Sequence, residues 1–306
     1  MPINYFQTID SVLTRGISEI CSAFGASEDE AIQTAQRFLA QNSEQYYTEN
    51  PEIEYQDPLC RWAYLYTYVG AHANLICNAI TRFQPLKDLV QDKIQNLGRL
   101  NICSLGGGPG SELLGIVKYI ERNCDLTKQI DLDFLLIDKT PEWDDSWYTL
   151  VNGLEEAFTQ AYGNSRRDWP IILHRSFLPL DMLNQQSFSS YLSRFGGTEL
   201  FILNHVVSEL IAHQRDFAQV FDIIVSRAPD CAFFLFIDRN QTVVVDFINS
   251  LFDNNPELLA ISNYTEQNSM DIDEEKRDLG RWYTTMGRAP KITWDAYYCL
   301  AQKICI

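Results

Sequence analysis

Residues 98–115, LGRLNICSLGGGPGSELL, decide how the rest of the chain is read. Leu100 to Leu105 is an apolar run of strand length, Gly106, Gly107, Gly108, Pro109 and Gly110 form a tight turn, and Ser111 opens a segment of helical periodicity. Strand, glycine turn and helix in that order make a ligand loop. The glycines permit positive φ and let a ligand lie against bare backbone, while the first turn of the helix offers N–H groups without intrahelical partners. The competing reading is a structural turn of any α/β protein, and only context separates the two.

Length and composition set the limits. A chain of 306 residues, 46% hydrophobic, can bury the core of one large α/β domain with or without an extension. No stretch is apolar for long enough to span a bilayer, and MPINYFQTID lacks the regions of a signal peptide, so a soluble, unexported chain without membrane partners is expected. Cytoplasm is the expected compartment, with the nucleus left open. Eight scattered cysteines without a C-x-x-C pair predict free buried thiols, with neither disulfides nor a metal site. The net charge of −17, from 24 Lys and Arg against 41 Asp and Glu, disfavours bulk nucleic acid but leaves RNA open through a local basic rim.

Residues 1–97 read as helical. Phe6, Ile9, Val12, Leu13, Ile17 and Ile20 recur at three- and four-residue steps before Gly25, and Ser27 with Glu30 makes a capping box for a second helix. An acidic loop, YYTENPEIEYQDP, follows. Asp57 as N-cap and Pro58 then start a third helix, which carries Arg61, Tyr64, Tyr68 and His72 along one side. From residue 98 strands and helices alternate: LDFLLID ending in Asp138, helix 145–162, WPIILH, helix 185–195, ELFILN ending in Asn204, helix 208–226, CAFFLFID, helix 240–253, and two closing strands near 257–263 and 293–305. The expected fold is α/β, a doubly wound, mostly parallel seven-stranded sheet over residues 98–306, preceded by an α-helical extension or lid at 1–97.

The glycine spacing separates two cofactor classes. The dinucleotide pattern G-x-G-x-x-G, begun at Gly106, needs a third glycine where Ser111 stands, whereas G-x-G-x-G fits Gly106, Gly108 and Gly110. Together with the order of strands, this loop resembles the first motif of the Rossmann-like (class I) S-adenosylmethionine (AdoMet) methyltransferases. One departure is Ser104, at the place where that family often carries an acid.

The resemblance implies a cofactor site and a substrate site. Gly106, Gly107, Gly108 and Gly110 would cradle AdoMet, Asp138 would accept its ribose hydroxyls, and Lys139 and Thr140 would line the same edge. Arg175, Ser176 and Phe177 fall where the family recognises adenine, and Trp143 and Trp147 either pack over the adenosine or staple the next helix. The third helix would roof the pocket, with Arg61 on the AdoMet carboxylate and Tyr64 and Tyr68 on substrate; the alternative is an aromatic packing face with Arg61 paired to a surface acid. Asn204 starts NHVVSEL, without the two prolines and aromatic of base-directed amino methyltransferases. Asn204 would position the acceptor and cofactor, His205 would serve as base, and Glu209 competes for that role. Asp238 reads as a turn or cap. The polar stretch NSMDIDEEKRDLGRWYTTMGRAPK, with Arg281, Trp282 and Tyr283, would form a lid whose aromatics touch substrate.

The resulting expectation is an AdoMet-dependent methyltransferase acting on an N or O nucleophile of an unidentified acceptor, whether small molecule, protein or RNA. The arrangement also looks like that of eukaryotic ribosomal-RNA methyltransferases, against which the acidic balance counts. A non-catalytic AdoMet-fold scaffold, expected to have a blocked pocket, and an NAD-dependent oxidoreductase are the alternatives.

Overall fold

The computed structural model describes residues 4–45, 53–270 and 276–305. Four helices come first: α1 (Tyr5–Phe24), α2 (Glu28–Gln45), α3 (Pro58–Tyr64) and α4 (Gly70–Arg82), the last two joined by a π-helical turn at Leu65–Val69. Their ends obey local chemistry. Gly25 adopts φ 65° after α1, Ser27 and Glu30 exchange hydrogen bonds at the start of α2, and the Asp57 carboxylate accepts from the amides of Leu59 and Cys60. Helix α5 (Gln84–Asp92) leads into the sheet. Residues 46–52 of the acidic loop and 271–275 of the expected lid lie outside the described residues.

The rest alternates as β1 (Arg99–Leu105), α6 (Ser111–Asn123), β2 (Ile130–Asp138), α7 (Trp143–Tyr162), β3 (Ile171–Pro179), α8 (Gln185–Ser189), β4 (Leu200–Asn204), α9 (Gln214–Arg227), β5 (Phe233–Arg239), α10 (Thr242–Asp253), β6 (Leu258–Ser269), α11 (Arg281–Thr285) and β7 (Thr293–Lys303). These strands form one seven-stranded sheet in the order β3-β2-β1-β4-β5-β7-β6, in which β7 alone runs antiparallel to its neighbours. Successive side chains point to opposite faces, so Leu100 and Ile102 enter one core while Cys103 and Leu105 enter another. The first core holds α1, α4, α6 and α7; the second holds α8, α9 and α10. Among the described residues, no helix is long and apolar enough to cross a membrane.

Several boundaries differ from the periodicity. The segment expected as helix 208–226 begins with short 3-10 turns at Val207–Glu209 and Ile211–His213, because Asp238 accepts the amide of Ser208 and holds the chain in a turn. β3 continues to Pro179, five residues past the expected end, because its register with β2 is unbroken as far as Asp138↔Pro179. One expectation is corrected: Cys231 and Cys305 form a disulfide, while Cys21, Cys60, Cys77, Cys103, Cys124 and Cys299 are free. The antiparallel pairing of β5 with β7 brings the start of one strand to the end of the other, a juxtaposition invisible in the spacing of the cysteines.

The helical extension is not a separate layer. Helix α4 crosses α6 at Gly115, where an added Cβ would stand 2.2 Å from the Ala73 carbonyl oxygen and 2.9 Å from Ile76 Cβ. On the same side, the Lys118 ammonium lies 3.8 Å from the centre of the Tyr5 ring. Gly115→Ala should therefore push the two helices apart at a cost of about 2 kcal/mol, within the range of overpacked cores. Chemical denaturation of this variant at wild-type stability would show that the crossing tolerates a methyl group.

Candidate active site

The loop after β1 is shaped by three left-handed residues, with φ 67° at Gly106, 50° at Gly108 and 79° at Gly110. Its amides are partly used: Gly106 N–H donates to the Ile137 carbonyl at 2.7 Å, and Gly108 N–H donates to Asp138 Oδ2 at 3.0 Å. The other Asp138 oxygen accepts from Thr140 N–H at 2.9 Å. Asp138 thus faces the glycine turn from the tip of the neighbouring strand. Burial raises its pKa, and the two backbone amides offset part of that rise. Lys139 beside it is exposed.

Behind the loop lies a polar cluster that the sequence reading missed. Ser104, Glu112 and Asn204 are all buried; the Asn204 amide donates to Glu112 Oε1 at 3.0 Å, and the Ser111 hydroxyl stands 3.3 Å from the same oxygen. Glu112 Oε2 and Asn204 Oδ1 have no close hydrogen-bond partner, and the Ser104 hydroxyl sits beside the Glu112 carboxylate, which it helps to hold. Two of them sit against the loop itself, since a Cβ on Gly107 would meet Ser104 Oγ at 2.4 Å and Glu112 Oε2 at 3.4 Å. Burial pushes the Glu112 carboxyl up to about 7, against the hydrogen bonds it accepts. The signal was an acid at the second position of the helix, in a chain whose usual acidic position holds Ser104.

Aromatic rings cover the turn. The Trp143 indole lies 3.6 Å from where a Cβ on Gly108 would be, and Tyr55 and Tyr64 pack on it with ring centres 5.1 and 5.3 Å away. Trp147 instead fills the core beneath Gly110. From Tyr64 the rings continue along the roof helix to Tyr68, at 4.9 Å, and to His72, whose imidazole stacks on His205 at 4.6 Å. These four side chains line a cavity of about 560 Å³ with Glu209, Arg239, Arg288, Lys291 and Trp294. His205 itself is held at φ 58°, unusual for a side chain with Cβ, by its N–H bond to the Ile237 carbonyl.

The acids and bases of this cavity are strongly shifted. His205 is lowered to about 3, by burial first and then by Lys291 and Arg239; His72 is lowered well below its ordinary value, by burial first and then by His205. Glu209 opens onto the cavity, yet the surrounding protein, with Asp138 and Asp238 nearby, raises it to about 7. Asp238 is fully buried, accepts from the amides of Ser208 and Arg239, and places its Oδ1 3.8 Å from His205 Nδ1.

Other expected residues lie elsewhere. Ser176 and Phe177 pair with Leu135 and Leu136 inside the sheet, short of the strand tips; Ser176 accepts from Arg194 and Phe177 packs on the first core. The side chains nearest the loop at Gly106 are those of Val206 and Met182, with Cγ2 and Cε 2.3 and 3.1 Å from a Cβ built there. Trp282 is fully buried, edge-on to Trp62 with its N–H on Thr14 Oγ1, so it does not reach substrate. Tyr283 is exposed and does not line the cavity, which the same segment enters through Arg288 and Lys291 instead, next to Trp294 of β7. The Arg61 guanidinium donates to the carbonyls of Tyr55 and Gln56 and lies 3.9 Å from Asp145, the packing alternative rather than a free cation at the glycine loop.

No protein-family model matches the chain, and no curated protein is significantly similar to it. Among solved structures it is similar to loganic acid methyltransferase with SAH (8% identity, 84% of this chain and 99% of that one, TM-score 0.45). Another is magnesium protoporphyrin IX methyltransferase from Synechocystis PCC 6803 with bound SAM (12%, 91% and 98%, TM-score 0.39). A third is an arsenic(III) S-adenosylmethionine methyltransferase from Chlamydomonas reinhardtii (13%, TM-score 0.36), where the match covers 68% of this chain and 64% of that one. These likenesses are remote, and the fold assignment rests on the strand order.

Glu112 yields a pH prediction. Its folded pKa, about 7, lies above the ordinary value of 4.5, so between these limits the folded chain binds more protons than the unfolded one. Its contribution is therefore lost as pH rises, by roughly 3 kcal/mol across that window. Glu112→Gln, which keeps the shape without the charge, should be more stable than wild type at pH 8 and not at pH 4. Equal denaturation midpoints for the two proteins at pH 8 would contradict the buried-carboxylate account.

Proposed function

From a sheet with the order and antiparallel seventh strand of the class I AdoMet-dependent methyltransferase fold, we propose that the chain is an AdoMet-dependent methyltransferase. The observation that carries the reading is the set of unpartnered buried oxygens behind the glycine turn, facing a carboxylate at the next strand tip. Glu112 Oε2 and Asn204 Oδ1 are acceptors without a geometrically close donor, beside the Ser104 hydroxyl that helps hold the Glu112 carboxylate, and an ammonium such as that of the methionine moiety has three N–H donors. Glu112 would then supply the charge that Ser104 lacks. Asp138 would exchange its bond to Gly108 for the ribose hydroxyls, and the Trp143 indole would move off Gly108 to admit the adenosine. On these grounds the residues fit the cofactor, which when bound supplies a methyl group on a good leaving group.

The chain's own part is to align the acceptor and take its proton. Glu209 suits the second task better than His205. A group held at about 7 exchanges protons near neutrality, whereas an imidazole at about 3 remains neutral and accepts poorly. His205 and His72 then act as a stacked wall that orients the acceptor. A scaffold reading expects a blocked pocket, and the cavity of about 560 Å³ beside an ionisable acid favours the enzyme. The antiparallel β7 likewise distinguishes this sheet from the dinucleotide-binding order.

Thermal unfolding tests the cofactor half. AdoMet or its demethylated product at a hundred times its dissociation constant should add ~2.7 kcal/mol, and Asp138→Ala should lose most of that gain. Stabilisation by NADH and not by AdoMet would reverse the assignment. In turnover, the rate should fall on acidification below about pH 7 as Glu209 takes up its proton, and level off above it. Glu209→Gln should lower turnover by ~10²–10⁴-fold while AdoMet still stabilises the protein; an unchanged rate in this variant would remove Glu209 as the base.

A further inference from the structure

A short piece of chain, belonging to no helix or strand, closes over the glycine turn. Residues 53–57, just before α3, carry the half-buried Tyr55 ring onto the Trp143 indole, with ring centres 5.1 Å apart, and onto Tyr64 at 5.8 Å. That indole is 2% exposed and lies over Gly108, on the surface that the adenosine would need. Two turn hydrogen bonds bend this strap, from Tyr55 N–H to the Ile53 carbonyl and from Asp57 N–H to the Glu54 carbonyl.

Arg61 ties the strap down. Its Nη1 donates to the carbonyls of Tyr55 at 2.7 Å and Gln56 at 2.9 Å, and its Nη2 stands 3.9 Å from Asp145, two residues after Trp143 at the start of α7. One guanidinium thus links the strap to the helix that carries the covering ring. The link is incomplete for a charge at that depth. Arg61 is 5% exposed, yet its Nε has no hydrogen-bond partner among the described residues, and the Asp145 carboxylate faces water that screens it. The cost of burying the cation is set against two bonds to neutral carbonyls, an opposition that keeps closed and open arrangements near in free energy. Opening would also leave no orphaned acceptors, because water meets the freed carbonyls.

We propose that residues 53–57 form an autoinhibitory strap latched by Arg61: while it is latched, Tyr55 keeps Trp143 on Gly108 and the cofactor cleft is shut, and release of the Arg61 bonds lets strap and indole swing clear. The inference rests on the methyl-transfer reading for the identity of the molecule that the strap excludes. Strap and cofactor compete for the face of Gly108, so the fraction of unlatched chains scales the apparent affinity.

The test compares the full chain with Arg61→Gln and Tyr55→Ala, the second of which leaves the guanidinium in place. Each is labelled with 5-fluorotryptophan, and the Trp143 fluorine resonance is the one missing from Trp143→Phe. In both variants it should acquire the solvent-isotope shift of an exposed indole, while the resonances of the buried Trp147 and Trp282 should not. S-adenosylhomocysteine should bind either variant about tenfold more tightly than wild type, through faster association. A Trp143 signal unchanged in a folded variant, or S-adenosylhomocysteine bound no more tightly, overturns the inference. Should Arg61→Gln fail to fold, Tyr55→Ala decides alone. If S-adenosylhomocysteine binds none of these proteins, the methyl-transfer reading fails, and the fluorine signal by itself retains the latch where Trp143 becomes exposed and removes it where it does not.

Discussion

The approach of α4 to α6 at Gly115 is the contact on which the site depends. With the Ala73 carbonyl 2.2 Å from the position of a missing Cβ, the two helix backbones lie closer than any side chain would allow. That closeness fixes the height of the roof helix above the strand tips. It is what brings His72, one residue before Ala73, into stacking contact with His205 at the end of β4. Tyr64 and Tyr68 follow along the same side, and Tyr64 meets the Trp143 indole over the glycine turn. The N-terminal helices therefore build one wall of the site and share its core, so an extension that reads as separate in sequence is part of the site's architecture.

What was legible in the sequence was whatever is settled locally or by strict periodicity. The glycine turn, the carboxylate that ends the next strand, the helix caps at Ser27 and Asp57, and the alternation of strands and helices all follow from backbone chemistry within a few residues. The misses share a different cause. β3 is carried to Pro179 by its ladder with β2, which displaced Ser176 and Phe177 from the edge to the interior. Trp282 carries a large apolar ring that finds Trp62 in a helix far away in sequence. Glu112 looked like an ordinary first-turn acid, and only the packing of Ser104 and Asn204 around it makes it a buried carboxyl.

Desolvation is the common cause of the site's unusual protonation. It raises Glu112 and Glu209 toward 7 and depresses both histidines, in each case favouring the uncharged form. The two acids differ in what surrounds them. Glu112 is sealed behind the turn, held by Asn204, Ser111 and Ser104. Glu209 borders open space, and the surrounding protein, then Asp138 and Asp238, keep it protonated longer than an ordinary carboxyl. Binding a cation at the glycine turn would lower the first without removing the repulsion that raises the second.

The stacked histidines contribute no charge to the cavity in mild acid. Two imidazoles with centres 4.6 Å apart, already facing Lys291 and Arg239, cannot both take a proton without a large Coulombic cost. They consequently remain neutral where exposed histidines would titrate, and serve as flat rings rather than as switches.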